Sequence, residues 1–175
     1  MSELIDSLLA QARQARFERP DDAKRDLAQA VALARSADHR LQLAQALTAL
    51  GQIERDLHNN DEALRLYEEA AEIYRGLNDP LKLAHTVRHV GDILREMGRF
   101  AGAAPAYSEA LTIYHDHEDT QLLDLANAVR GLALLKEALG EKAEAKALWE
   151  EAGILYAEVK VEAGAKESAR RAALL

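Results

Sequence analysis

Three side chains in the middle of the chain have types and spacing that could bind a metal ion. His85, His89 and Asp92 would project from one side of an α-helix. Imidazole and carboxylate groups are common ligands of divalent metals. However, the segment lacks the Glu of the helical zinc-protease motif, and Arg88 and Arg95 on the same face would repel a cation. A hydrogen-bonded polar surface is the favoured interpretation, and a metal-binding protein or metal-dependent hydrolase is the alternative.

Other catalytic chemistry has little support in the sequence. The chain contains no Cys, which excludes thiol nucleophiles and thiolate metal sites. Its few Ser residues have no His in helical register with them. No phosphate-binding glycine loop, nucleophile elbow or pair of catalytic carboxylates is visible. We therefore predict a protein that is not an enzyme and uses no cofactor.

Composition and charge exclude further classes of function. The formal net charge is −8, whereas nucleic-acid binding needs a clustered basic field, so no nucleic-acid partner is predicted. No run approaches the ~18 apolar residues of a membrane span, and the N-terminal segment has no signal-peptide core. The absence of Cys fits a reducing compartment. The expected location is the cytoplasm.

The chain repeats itself at a nearly fixed step. Gly51 and Gly91 lie 40 residues apart, and the next step, to Ala133, is 42. The same steps relate Ala63, Ala103 and Ala145; Tyr67, Tyr107 and Trp149; Ala70, Ala110 and Ala152; and Tyr74, Tyr114 and Tyr156. A fixed period of this size is typical of stacked helical repeats. We expect the Ala positions to allow close helix packing and the aromatic residues to fill the core.

The pattern L-G-x(11)-A-x(3)-Y-x(2)-A resembles the tetratricopeptide repeat. It occurs as Leu50-Gly51…Ala63…Tyr67…Ala70 and recurs in the next unit with Val in place of Leu. The units are longer than the usual ~34 residues, so longer helices are expected. The resemblance covers almost the whole chain. It implies an all-α, right-handed helical-repeat solenoid that binds a protein or peptide partner in a concave groove.

The resemblance also implies one domain, residues 1–175, with four antiparallel helix pairs and a C-terminal capping helix. The expected pairs are residues 2–38, 39–78, 79–118 and 119–161, and the expected cap is residues 162–175. The first helix should end near Glu18 and the second begin near Asp22. We expect Asp79 to cap the helix that starts at Pro80, and Gly98 to take a left-handed backbone conformation.

In this family the first helix of each pair lines the groove, and the register can be carried over from Ala44, Ala84 and Ala126. The candidate ligand-binding residues are Gln52, Arg55, His85, Arg88, His89, Asp92, Arg95, Asn127 and Arg130. Guanidinium groups bind carboxylates through paired N–H donors. The arginines therefore predict an acidic protein or peptide segment as the ligand.

Two alternatives remain open at this stage. The arginines could be neutralised inside the chain by carboxylates such as Asp92 and Glu96, because a solvated charged face needs no ligand. The chain could also be a structural module that oligomerises through its end helices, and the oligomeric state is left open. If the groove interpretation is right, Asp92 should pair with Arg88 and leave Arg130 available for a ligand carboxylate.

Overall fold

The structure, a computed structural model, describes all 175 residues, and every regular element in it is an α-helix. The helices are α1 (Ser2–Ala15), α2 (Pro20–Ser36), α3 (Arg40–Asp56), α4 (Asn60–Gly76), α5 (Pro80–Glu96), α6 (Phe100–Asp116), α7 (Leu122–Ala138), α8 (Lys142–Glu158) and α9 (Glu162–Ala172). The predicted all-α class is confirmed. None of the nine helices combines the length and the apolar character needed to cross a bilayer.

The chain forms two compact units, Met1–Thr86 and Val87–Leu175. In the first unit, α1 packs against α2 and α3, α2 packs against α3, and α3 packs against α4. In the second unit, α6 packs against α7, α7 against α8, and α8 against α9. From α1 to α4 and from α6 to α9, helices that are consecutive in the chain are thus neighbours in space, as in other repeat proteins. The assignment of residues 1–175 to one domain stays a prediction.

The lengths of the helices explain the repeat step. Each helix from α2 to α8 has 17 residues, which corresponds to about 25 Å. Two such helices and two three-residue connections make up the step of 40 residues. The connection between α6 and α7, residues 117–121, is two residues longer than these three-residue connections and produces the step of 42.

Six helices end in the same way. After each of them one residue takes a positive φ, and the following residue donates its N–H back into the last turn. After α3, for example, His58 has a φ of 63°, and the N–H of Asn59 donates to the carbonyl of Glu54 at 2.8 Å. This is the Schellman arrangement. The left-handed residues are Asp38, His58, Asn78, Gly98, Gly140 and Lys160.

The predicted helix boundaries are partly confirmed. Gly98 has the expected positive φ, and Asp79 caps α5 by accepting the N–H of Lys82 at 3.2 Å. The predicted end of α1 is wrong by three residues, and the predicted start of α2 is wrong by two. Helix α1 ends at Ala15, and α2 begins at Pro20, because a proline needs no hydrogen-bond acceptor at the first helical position.

Large aromatic side chains fill the core at the repeated positions. Tyr67, Tyr107 and Trp149 are completely buried, which confirms the prediction from the register. Helices approach one another closely at these rings. A methyl group on Gly91 would lie 3.1 Å from the Tyr107 ring, and one on Gly131 of α7 would lie only 2.5 Å from its Cε1 atom. The packing of α6 against α7 therefore depends on the absence of a side chain at Gly131.

We expect Gly131→Ala to destabilise the second unit by about 1–3 kcal/mol, the usual cost of overpacking a core. Gly102→Ala is a suitable control, because Gly102 is exposed on α6 and its methyl group would meet only the end of the Leu94 side chain, at 3.2 Å. The gain in helix propensity should offset that contact. Urea unfolding of both variants would measure the difference, and equal stabilities would contradict the proposed ring packing.

Candidate functional site

The second unit contains a buried polar cluster on the part of α5 that carries most of the candidate ligand-binding residues. Arg88, His89 and Asp92 are 7%, 8% and 8% exposed. The Arg88 guanidinium donates to Asp92 Oδ2 at 3.0 Å and contacts His89 Nε2 at 2.8 Å. Because a guanidinium can only donate, Nε2 of His89 must be the acceptor in this contact. The His89 proton then lies on Nδ1, which is 3.7 Å from Asp92 Oδ2.

A core tyrosine completes this cluster from the neighbouring helix. The hydroxyl of Tyr107 on α6 donates to Asp92 Oδ1 at 2.7 Å, and Nε of Arg95 donates to the same hydroxyl at 3.3 Å. Burial raises the pKa of Tyr107, and the negative charge of Asp92 raises it further. The hydroxyl therefore keeps its proton and holds the Asp92 carboxylate in a fixed orientation.

The arrangement argues against the metal-binding alternative. His85, His89 and Asp92 do not form a group that could hold a metal ion. The guanidinium of Arg88 instead contacts both His89 and Asp92. A cation at this position would have to displace a permanently charged arginine. The geometry therefore gives no support to a metal-dependent reaction at these three residues.

On α7, Arg130 is bound by a carboxylate from the last helix. Glu167 of α9 accepts from Nε of Arg130 at 2.9 Å and from its terminal nitrogen at 3.1 Å. The hydrogen bond from Arg130 lowers the pKa of Glu167, and the same bond raises the pKa of Arg130. The expectation that Arg130 would lack a partner in its own chain is wrong, because sequence register does not reveal a carboxylate on another helix.

Two further contacts connect the core aromatic residues with polar residues of α7. The hydroxyl of Tyr156 donates to Asn127 Oδ1 at 2.7 Å, and the indole N–H of Trp149 donates to Glu137 Oε1 at 2.6 Å. The other oxygen of Glu137 accepts from Arg171 of α9 at 2.6 Å. In the pair formed by α7 and α8, aromatic side chains of α8 thus hold polar side chains of α7.

The polar groups of α5 and α7 lie within electrostatic reach of each other. Burial raises the pKa of Tyr156, and the positive charges of Arg130 and Arg88 both oppose that rise. We give the name polar face of the second unit to the group of Arg88, His89, Asp92, Arg95, Asn127 and Arg130, of which Arg88, His89 and Asp92 are buried. The structure places these six candidate residues together in one unit.

The other three candidate residues, Gln52, Arg55 and His85, belong to the first unit, and all three are partly buried. Gln52 donates to Asp56 at 2.9 Å and accepts from the hydroxyl of Tyr67 at 3.3 Å. The first unit thus shows the same contact between a core tyrosine and a first-helix side chain. A role in ligand binding for all nine residues stays a prediction.

Sequence reasoning missed the polar role of the core aromatic residues and of α9. A signal for the first was present, since Tyr107 and Trp149 carry a hydroxyl or an N–H that must find a partner when the ring is buried. A weaker signal existed for Glu167. The residue one turn beyond Arg130 is Leu134, whereas Arg88 has Asp92 there. Arg130 therefore needed a carboxylate from elsewhere.

Comparison with known proteins identifies the type of repeat in the first part of the chain. Residues 2–76 match the family model for the tetratricopeptide repeat. No curated protein sequence matches the chain. Among solved structures, a signal transduction ATPase with a tetratricopeptide repeat sensor from Pyrococcus horikoshii has a TM-score of 0.85 at 20% identity, over 96% of this chain. This chain spans only 26% of that ATPase.

Two other solved structures have the same fold. A putative kinesin light chain from Podosopora anserina, with nearly identical TPR-like repeats, has a TM-score of 0.73 at 14% identity, with 97% of this chain and 93% of that chain covered. A Rap protein complexed with Competence and Sporulation Factor has a TM-score of 0.62 at 18% identity, with 96% and 51% covered. These likenesses confirm the predicted helical-repeat fold.

We expect Tyr107→Phe to destabilise the protein by about 1.5–3 kcal/mol, because the buried Asp92 carboxylate loses a hydrogen bond and such bonds to charged groups are strong. Tyr156→Phe is the matched control. It removes the same hydroxyl from a ring in the same unit, but the acceptor is the neutral Asn127, so the expected cost is about 0.5–1.5 kcal/mol. Chemical unfolding would compare the two, and a larger cost for Tyr156→Phe would refute the ranking.

The lowered pKa of Glu167 predicts a dependence on pH. A carboxylate whose pKa is lowered by folding stabilises the folded state above its ordinary pKa of about 4.3, and this contribution is lost as the pH falls through the lowered value. We therefore expect the melting temperature to fall more steeply below pH ~4 for the wild type than for Glu167→Gln. Parallel curves would show that the ion pair does not contribute.

Proposed function

We propose that the chain, of which residues 2–76 match the tetratricopeptide repeat, is an interaction scaffold that binds a segment of another protein on the polar face of its second unit. The proposal is supported by the fold, which typically serves as a non-catalytic scaffold. One structure with this fold is a complex, that of a Rap protein with Competence and Sporulation Factor. By this analogy, the polar face would accept a peptide segment.

The observation that carries the proposal is the rigid arrangement of the polar face. The side chains of Arg88 and Asp92 are almost completely buried, whereas those of Arg95 and Arg130 are 20% and 37% exposed. The buried pair supports the face from below, and the two more exposed arginines can be reached by a ligand. Side chains already fixed in place lose little entropy on binding, which favours affinity.

The chemistry of the exposed groups favours an acidic ligand. Arg130 already binds a carboxylate through two of its nitrogens, which is the geometry that guanidinium groups use for acidic side chains and chain termini. Arg95 contacts Glu96 at the longer distance of 3.4 Å. Asn127 adds an amide that can bond to a peptide backbone. We therefore propose a segment that contains Asp or Glu side chains.

The test is a selection of peptides from a random library displayed on phage, with the full chain as bait. We expect the selected peptides to be enriched in Asp and Glu and to bind less tightly as the salt concentration rises. Arg95→Gln and Arg130→Gln should each weaken binding of the best peptide by roughly tenfold, the effect of losing about 1.4 kcal/mol. Selected peptides without acidic residues would refute the acidic class.

Two controls accompany this experiment. Arg99→Gln makes the same change at an exposed arginine that immediately precedes α6 and lies outside the polar face, so affinity should stay within about twofold. Arg88→Ala is unsuitable as a test, because it would leave the buried Asp92 without its cation and destabilise the fold. Circular dichroism should confirm that every tested variant remains helical.

A further inference from the structure

Helix α9 contacts α7 through two ion pairs of opposite orientation. Glu167 binds Arg130 with both carboxylate oxygens, and Arg171, one turn further along α9, binds Glu137 at 2.6 Å. The Arg171 guanidinium also lies over the Trp149 ring, 5.4 Å from its centre. The docking of α9 therefore covers one arginine of the polar face and the only tryptophan of the chain.

The two arginines of the polar face obtain their carboxylates from different sources. Arg88 is neutralised by Asp92, four residues later on the same helix. The equivalent position on α7 is Leu134, which cannot neutralise Arg130. Arg130 instead depends on Glu167, which lies on another helix, and both of these side chains are partly exposed. A carboxylate from solution can therefore reach Arg130 if Glu167 moves away.

Helix α9 is the shortest helix and packs mainly on α8. It has only 11 residues and buries only Ser168 and Ala172. The hydroxyl of Ser168 is buried without a hydrogen-bond partner, which costs free energy in the docked state. A helix of this length is marginal by itself in water. Its apolar contacts are nevertheless close, because Ala172 and Leu175 pack in a cluster with Trp149 and Gly164 lies against the Tyr156 ring. The Glu167 side chain can therefore leave Arg130 more easily than α9 can leave α8, because the ion pair is partly exposed.

We propose that α9 is a built-in competitor of the acidic ligand: the Glu167 carboxylate occupies Arg130 in the free protein and is displaced when a partner carboxylate binds there. The proposal rests on the proposed function of the polar face and adds its regulation. Glu167 and a ligand carboxylate exclude each other at Arg130, so the internal ion pair lowers the apparent affinity for the ligand.

The experiment uses the full chain and an acetylated, amidated oligoglutamate peptide as the probe. Trp149 reports the position of α9, because its indole N–H is bound to Glu137 and its ring lies beneath Arg171. Binding is measured by isothermal titration calorimetry, and the tryptophan emission should stay unchanged because α9 remains packed on α8. An oligoglutamine peptide of the same length should not bind.

The decisive comparison is between Glu167→Gln and Glu162→Gln. Both substitutions remove one negative charge from α9, but Glu162 is exposed and pairs with the exposed Lys166. Their difference therefore excludes a general charge effect. Removal of the competitor should make Glu167→Gln bind the peptide about fivefold more tightly than Glu162→Gln. If Glu167→Gln also undocks α9, the affinity should rise in the same direction.

A third variant tests whether the effect acts through Arg130. In Arg130→Gln the peptide should bind more weakly, and the addition of Glu167→Gln should no longer raise its affinity. This non-additivity is the signature of two residues that act on each other. If Glu167→Gln raised the affinity as much without Arg130 as with it, the proposed competition would be wrong.

The remaining outcomes separate the two proposals. Equal affinities of Glu167→Gln and Glu162→Gln would overturn the competition and leave the acidic-ligand function standing. Failure of the peptide to bind the wild type and all three variants at low salt would overturn both proposals. Tighter binding by Glu167→Gln than by Glu162→Gln would support both.

Discussion

The packing of one aromatic ring between small residues is the constraint on which the second unit depends. Tyr107 leaves no room for a methyl group at Gly131, and its hydroxyl reaches the Asp92 carboxylate. The position of α7 thus fixes the ring, the ring fixes Asp92, and Asp92 fixes Arg88. A change that moves the helices apart would therefore disturb the polar face, although none of its residues is altered. Core packing and surface chemistry are coupled through a single side chain.

The same contact between a core aromatic side chain and a polar side chain of the preceding helix occurs with different polar partners along the chain. The hydroxyl of Tyr67 contacts Gln52, and the hydroxyl of Tyr107 contacts Asp92. The indole N–H of Trp149 contacts Glu137. In each case a side chain of a second helix crosses the pair and holds a polar group of the first helix. The apolar part of the ring can thus remain constant while the polar partner varies. Repeats with one architecture can in this way present different chemistry to a ligand.

Charge balance connects the polar face with the end of the chain. Because α7 has Leu134 where α5 has Asp92, the carboxylate for Arg130 comes from Glu167 of α9. The terminal helix therefore does more than cover apolar surface, the usual role of a cap in repeat proteins. It contributes the anion that completes the face in the free protein. The partly exposed ion pair between Arg130 and Glu167 is well suited to exchange with a ligand carboxylate.

The sequence by itself determined the helices and the residues that are buried between the helices of each pair. The repeat of small and aromatic residues correctly predicted helices, buried rings such as Trp149, and the left-handed turn at Gly98, because these features depend on local periodicity and backbone sterics. Only the tertiary structure decided the pairing of polar groups. The partner of Arg130 lies 37 residues away on a helix outside the repeat pattern, and the metal alternative failed because Arg88 contacts both His89 and Asp92. Such pairings depend on distances between helices, which no local pattern encodes.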